Sequence, residues 1–335
     1  MVLSRILGGV GRVLVTVGTL ILLFVAYQLW GTGIHTARAQ DSLSSEFAEV
    51  LATVPSTTTV APTTAPPSTV PGDPNQVDVV PVDLAPADLP LPAYGDPVAQ
   101  IKIPKIGVDH VVVEGVGLDQ LKRGPGHYQD TPLPGQAGNS AIAGHRTTYG
   151  APFHNLDKLE PGDQIVVQTM QGEFVYEVDV ANLIVKPHQV EVLDDKGDNR
   201  ITLTACHPKY SLRERIIVSG VLVGQPAPPI VGQDEARQEA VELAAETGTY
   251  ERTEIDGDPG ATTASSRPAI AWGLICAAVW LATWLVSRLI DRRVGKRRRH
   301  RWVLTNSPYV VGVPVFLVCL YAFFEQFANL LPAGF

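Results

Sequence analysis

The sequence predicts a mainly β fold: a closed or nearly closed β-barrel of seven or eight short strands with a few turns of helix, carried on three transmembrane helices, one N-terminal and two C-terminal. Three observations predict it. Residues 98–225 break into short runs rich in Val, Ile, Thr and Tyr, separated by clusters of Gly, Pro, Asp and Asn. Long apolar stretches stand at both ends of the chain. The segments joining them to the β-rich region are too polar to build a core of their own. With 335 residues, 45% hydrophobic and 18% charged, there is apolar material for one such domain and its spans.

Taken in order, residues 1–12 carry Arg5 and Arg12 and are expected as a cytoplasmic N-terminus. Residues 13–30 run 18 positions without a charge, about long enough to span a bilayer. A cleaved leader is the rival reading. Its apolar core should be shorter and its cleavage site lies only around Ala37 and Ala39, so an anchor is expected. Residues 31–97 are expected as a Pro/Thr-rich extracytoplasmic linker, with eleven prolines between 52 and 97. Such a segment cannot offset its ordering entropy and acts as a spacer of at most ~140 Å, at ~3.1 Å per extended residue.

The strands expected within 98–225 are "AQIKIP", "VDHVVVEG", "NSAIAGH", "DQIVVQT", "EFVYEVDVANLIV", "RITLTAC" and "RIIVSGVLV". Alternation is clear in the fifth, with Phe174, Tyr176, Val178 and Val180 on one face and Val175, Glu177 and Asp179 on the other. Short helical turns are expected near 118–123 and 152–159. Residues 226–267 read as a second linker whose middle, 233–245, is a polar helix with too little apolar surface for a core element. Spans are expected at 268–287 and 308–324, around a basic cytoplasmic loop at 288–307, with a tail at 325–335.

"RLIDRRVGKRRRHR" carries eight basic residues against Asp291, a net +7. Basic connectors stay inside and meet anionic lipid headgroups, and the arginine-bearing N-terminus obeys the same rule. Its place between two spans argues against a nucleic-acid partner. Because the whole chain is −8, everything outside this loop is −15, so the exported part does not hold polyanions by charge. Cys276 and Cys319 fall inside spans, leaving Cys206 alone outside and excluding a disulfide framework within one chain.

Counting "RITLTAC" by twos puts Ile201, Leu203 and Ala205 on the core side and Thr202, Thr204 and Cys206 on the other. A lone cysteine is usually a small buried hydrophobe, but this parity projects the thiol off the apolar face. A thiol becomes a good nucleophile when a cation or base stabilises its thiolate. His145, which follows a short small-apolar strand and precedes a polar loop, is the candidate base; position alone leaves His154 and His207 open. Acyl transfer also needs a donor for the oxyanion, and a guanidinium supplies one. Arg213 and Arg215 share a strand face, and Arg215 adjoins the apolar run 216–218 where the backbone should be held by pairing.

A strand ending Thr-Leu-x-x-Cys, an Arg nine residues on, and an upstream Gly-His-Arg before "FHNLDKLEPGD" together resemble the sortases, membrane-anchored cysteine transpeptidases of Gram-positive bacteria. The resemblance covers about residues 98–223, and "HRTTYGAPF" is most similar to the class E enzymes of actinobacteria. It implies an eight-stranded sortase barrel and a catalytic set of Cys206, His145 and Arg215. Thr204, Ala205 and His207, beside the cysteine, are expected to bind substrate. The implied partners are secreted proteins with a Leu-Pro-x-Thr-Gly or Leu-Ala-x-Thr-Gly-like motif, and an amine acceptor from cell wall or a pilin lysine. Sortases commonly have Thr just before the cysteine, where this chain has Ala205, so a hydroxyl there is absent.

No cofactor is implied. No ligand pair has the close spacing of a zinc site, and "LDDKGDN" (193–199) lacks the distal glutamate of a calcium loop and reads as an acidic turn. Two other functions fit the same residues: a different extracytoplasmic Cys/His peptidase or peptidoglycan hydrolase, with water as acceptor, and a non-catalytic tethered barrel. "AAETG" (244–248) imitates a sorting signal and reads otherwise as an Ala-rich helix ending on Gly.

Overall fold

Eight strands close into a barrel in the computed structural model, which describes residues 2–53, 89–247, 255, 266–293 and 301–328. They are β1 (Pro97–Ile103), β2 (Val108–Glu114), β3 (Gly126–His127), β4 (Asn139–Ala143), β5 (Gln164–Thr169), β6 (Gly172–Val185), β7 (Arg200–His207) and β8 (Glu214–Val223). Around the barrel they run β1-β2-β3-β4-β7-β8-β6-β5. Seven lie on the expected runs. The eighth, β3, is two residues long and carries no period a sequence can display. Closure leaves no free edge, and alternate residues of each strand fill the interior, among them Ile101, Val112, Ile142, Tyr176, Leu203 and Val218. The expected helical turns appear as a six-residue helix over Leu118–Arg123 and a 3₁₀ turn at Leu156–Lys158.

Two stretches expected as linker are built into the barrel unit. The first helices of the chain are α1 (Val2–Ala26) and α2 (Thr32–Thr53); Leu118–Arg123 is α3. α2 begins inside the expected 31–97 linker and packs Leu43 and Phe47, both buried, on Val111 and Val113 of β2. β3 pairs only with Val113 and Glu114, so the outward amide of Val111 lacks a strand partner. Gln40 supplies it, donating to the Val111 carbonyl at 3.0 Å and accepting its N–H at 2.7 Å. After β8, the expected 226–267 linker also starts as part of the domain. Ala227 bonds to Gly135, and Gln233 exchanges two 2.7 Å side-chain bonds with Gln136. The polar helix α4 (Gln233–Thr247) follows, as expected. Residues 54–88, most of the proline-rich spacer, and Gly248 of "AAETG" lie outside the described residues.

The second unit consists of residues 1–31 and 262–333. It contains α1, α5 (Arg267–Arg293) and α6 (Arg301–Ala328), joined by a cluster of Phe24, Tyr27, Cys276, Leu320 and Phe324. Among the described residues two helices are long and apolar enough to cross a membrane, Arg267–Arg293 and Val303–Ala328. The N-terminal apolar helix, Leu14–Ala26, is shorter than the ~20 residues a perpendicular span needs. Two of the three expected spans thus fall on candidate spans among the described residues, and both helices overrun the bounds expected for them.

Candidate active site

The site follows from strand register. β4 and β7 run parallel with Ala143 opposite Thr204, and Gly144 N–H still donates to the Thr204 carbonyl at 3.1 Å. Two residues beyond that pair stand His145, just past the end of β4, and Cys206, still within β7. β8 is antiparallel to β7, and Arg215 is the direct partner of Cys206. Cys206 and Arg215 thus lie on one level across β7 and β8, and His145 follows the end of the adjacent β4.

Their face is the outside of the barrel wall. Ile142, Ala205, Ile216 and Val218 point into the interior cluster, whereas Ala141, Ala143 and Ile217 belong to a separate outer one. Cys206 and His145 are half-buried at the open end of this outer face. Tyr128 and Val116 flank it on one side and Val185, Val190, Val192 and Leu193 on the other, making an apolar groove. Asn139 fixes the second wall by donating to the carbonyls of Val192 and Asp194 while accepting from the Thr202 hydroxyl at 2.7 Å.

Arg215 is buried and its guanidinium is aimed by bonds to the Leu212 and Glu214 carbonyls at 2.9 and 3.2 Å. Arg213, its rival by parity, precedes the strand and is exposed. At the other flank, the chain leaving β4 is held close to the wall. A Cβ on Gly144 would sit 2.6 Å from the Phe153 ring, so only glycine lets that ring cover the strand end before His145. Phe153 N–H then donates to the His145 carbonyl at 3.1 Å. Between them Tyr149, Gly150 and Ala151 all have positive φ, and the Tyr149 ring lies 5.2 Å from that of His145, tilted by 33°. Thr32 at the start of α2 accepts the Tyr149 N–H at 3.1 Å, so the N-terminal helix helps to set that ring.

Sequence reasoning missed Arg146. It is buried, donates to the Cys206 carbonyl at 3.2 Å and to His207 Nδ1 at 2.9 Å, and pairs with Asp157 at 2.9 Å. It ties the His145 segment to the cysteine strand. Its only signal was its place beside the histidine in "GHR". Burial works against the Asp157 charge, but the Arg146 hydrogen bond and charge hold its pKa below the ordinary carboxylate value.

The remaining expected residues fare differently. Thr204 lies on the groove face but is fully buried, 3.3 Å from the Tyr128 hydroxyl. Ala205 is a correction: it is fully buried inside the barrel and cannot touch a ligand in the groove. A hydroxyl at position 205 would face the interior for the same reason. His207 alternates away from Cys206 and its Nδ1 accepts from Arg146. His154 has both ring nitrogens engaged, Nδ1–H donating to the Arg146 carbonyl and Nε2 meeting Lys209 at 3.3 Å. In the 193–199 loop Asp198 is committed to Arg200.

Residues 101–223 match the family model described as the sortase domain. Sortase SrtE1 of Streptomyces coelicolor is 33% identical over 230 residues, covering 64% of this chain and 56% of that protein. The chain thus spans a little over half the length of that relative. Sortase SrtE2 of the same organism is 28% identical over 230 residues, covering 64% of this chain and 80% of the relative. The crystal structure of Sortase E1 from Streptomyces coelicolor with a tripeptide in the active site aligns at 39% identity. It covers 41% of this chain and 94% of that one, with a TM-score of 0.38.

Proposed function

We propose that this chain, which belongs to the sortase family through residues 101–223, is a membrane-anchored cysteine transpeptidase that cleaves a secreted protein's sorting motif between Thr and Gly. One observation carries the reading: Arg215 is the register partner of Cys206, and His145 follows the parallel strand at the same level. A thiol, an imidazole and a guanidinium on adjacent strands suit acyl transfer.

In the proposed reaction the Cys206 thiolate attacks the threonine carbonyl, and Arg215 donates to the oxygen as it gains charge. His145, as imidazolium, gives its proton to the departing glycine amine, and the C–N bond breaks to leave a thioester. An incoming amine, from a peptidoglycan precursor or a pilin lysine, loses a proton to the now neutral His145 and displaces the thiolate. Thr204, buried beneath the groove face against Tyr128, is assigned to shaping the substrate side, and His207, which faces away from it, acts through Arg146.

The proposed topology places residues 1–12 and 288–307 in the cytoplasm. Spans occupy 13–30, 268–287 and 308–324, and the catalytic domain at 98–225 lies outside on its spacer. Two apolar C-terminal helices support membrane attachment.

The test is to incubate the full chain with peptides bearing Leu-Pro-x-Thr-Gly or Leu-Ala-x-Thr-Gly, with and without an amine, and read products by mass spectrometry. The expected result is a Cys206 thioester and an amine-dependent ligation product, both lost in Cys206→Ala. Hydrolysis indifferent to amine would instead make the chain a peptidase, and no thioester would remove the enzymatic reading.

A further inference from the structure

Residue 255 lies 32 positions beyond the last strand, in the tether to α5, yet it is wholly buried in the barrel unit. Its side chain belongs to the groove cluster with Val185, Leu193 and Ile217. The backbone is fixed at both ends of the same residue. Ile255 N–H donates to the Pro187 carbonyl at 2.7 Å, and its carbonyl accepts from Arg215 Nη2 at 3.2 Å. One residue thus spans the groove from the wall after β6 to the guanidinium beside Cys206.

The surrounding sequence makes this placement selective. In "ETGTYERTEIDGDPG" Ile255 is the one aliphatic branched side chain, set between Glu254 and Asp256. Such a polar tether has no core of its own to join. Its single large aliphatic group occupies an apolar slot, and its carbonyl rests on the donor assigned to the substrate's carbonyl oxygen. An extended peptide entering the groove would need both positions.

We infer that Ile255, carried by the C-terminal tether, occupies the sorting-peptide groove and competes with substrate for it. The inference rests on the proposed transpeptidase reading for its kinetic consequence, but not for the occupancy itself. Because the occupant is part of the chain, its effective concentration is constant, and substrate sees a groove only fractionally open. Competition of this kind raises KM and leaves kcat at saturation unchanged. The device would restrain turnover until a substrate, or a pull on the tether from the following span, displaces it.

The test compares the full chain with its Ile255→Asp variant in detergent micelles. Burying a carboxylate in the slot is unfavourable, so the tether should leave. Expected are a fall in KM for a sorting peptide of about tenfold, following the closed fraction, with kcat unchanged, and faster hydrogen exchange of the amides at 185–193. A synthetic peptide of residues 249–261 should inhibit the variant competitively, and the same peptide carrying Ile255→Asp should not. If neither chain turns over but exchange at 185–193 still rises in the variant, the occupancy stands and the transpeptidase reading falls. If turnover is measurable while KM and exchange are the same in both chains, the inference is overturned.

Discussion

Replacing Arg146 by Met removes the guanidinium that joins the histidine segment to the cysteine strand while keeping a long apolar stem. Two bonds run from this cation to neutral acceptors, the Cys206 carbonyl and His207 Nδ1, and one to the Asp157 carboxylate. A bond from a charged donor to a neutral group contributes roughly 1.5–3 kcal/mol. The Asp157 pair adds about 1 kcal/mol or less, because that carboxylate is 39% exposed. Cys206 and His207 are half-buried, so their freed acceptors regain some water. The expected loss is therefore about 2–4 kcal/mol, within the ~5–15 kcal/mol a domain can spend and remain folded. The chemical effect should be larger in proportion, since a misplacement of ~1 Å at a nucleophile costs on the order of 10²-fold in rate. Urea unfolding of the barrel followed by circular dichroism would measure the first. Single-turnover formation of the Cys206 thioester, followed by mass spectrometry, would measure the second. Equal unfolding midpoints and thioester rates within twofold of the parent would refute the claim that Arg146 positions Cys206. The pH profile gives an independent check of sign. Asp157 has a folded pKa below its unfolded value, so its contribution is present above the unfolded value and is lost as pH falls through the folded one. Arg146→Met should flatten that acid-side loss.

Other perturbations probe the frame around the site. Burial opposes a charge on His127, yet the Glu114 carboxylate 2.9 Å away lifts its pKa above the ordinary value. Its contribution is therefore complete below the unfolded pKa and lost as pH rises through the folded one; Glu114→Gln should abolish that alkaline-side slope in melting scans. Phe47→Ala should cost about 3 kcal/mol and speed hydrogen exchange at Val111 and Val113, because it empties the contact that docks α2. Unchanged exchange there would mean the helix is not held by this contact. Ala205→Thr should lower stability by about 1–3 kcal/mol without raising thioester formation, since the new hydroxyl enters a packed interior. A faster reaction in that variant would place position 205 on the substrate side after all.

The sequence-level reading succeeded where a residue's role is carried by its own strand. β-rich runs bounded by turn residues located seven strands, and parity along "RITLTAC" put Cys206 off the apolar face, where it lies. It failed where the partner is remote. α2 carries Leu43, Phe47 and Leu51 at helical spacing, but the prolines beginning at residue 55 coloured the whole 31–97 segment as spacer. Ala205 was placed on the core side by parity and yet expected to bind substrate by adjacency to the cysteine, and parity prevailed. Arg146 and Ile255 could not be found by local pattern. One takes its meaning from partners 11 and 60 or more residues away, and the other from a groove completed by three strands and a loop.

The location of the site on the outer wall follows from having a filled interior and a parallel pairing of β4 with β7. In an antiparallel neighbour pair, the residue after one strand's end meets the residue before the other's start. β4 and β7 are parallel, so β4 ends at Ala143 opposite Thr204, and the chain leaves it at His145 near the level where β7 still carries Cys206, although 61 positions separate them. β8 then turns back antiparallel, which brings its first residues, including Arg215, to that same end. The backbone positions of Cys206 and Arg215 are thus set by ladder hydrogen bonds, and that of His145 by the Gly144 bond to Thr204 before it and the Phe153 bond to its own carbonyl. That division of labour puts the costly strain, the positive φ of Tyr149 and Ala151, in the loop beside His145 rather than in the strands. It also leaves an outer groove between two loop walls, and there Ile255 of the chain itself is buried.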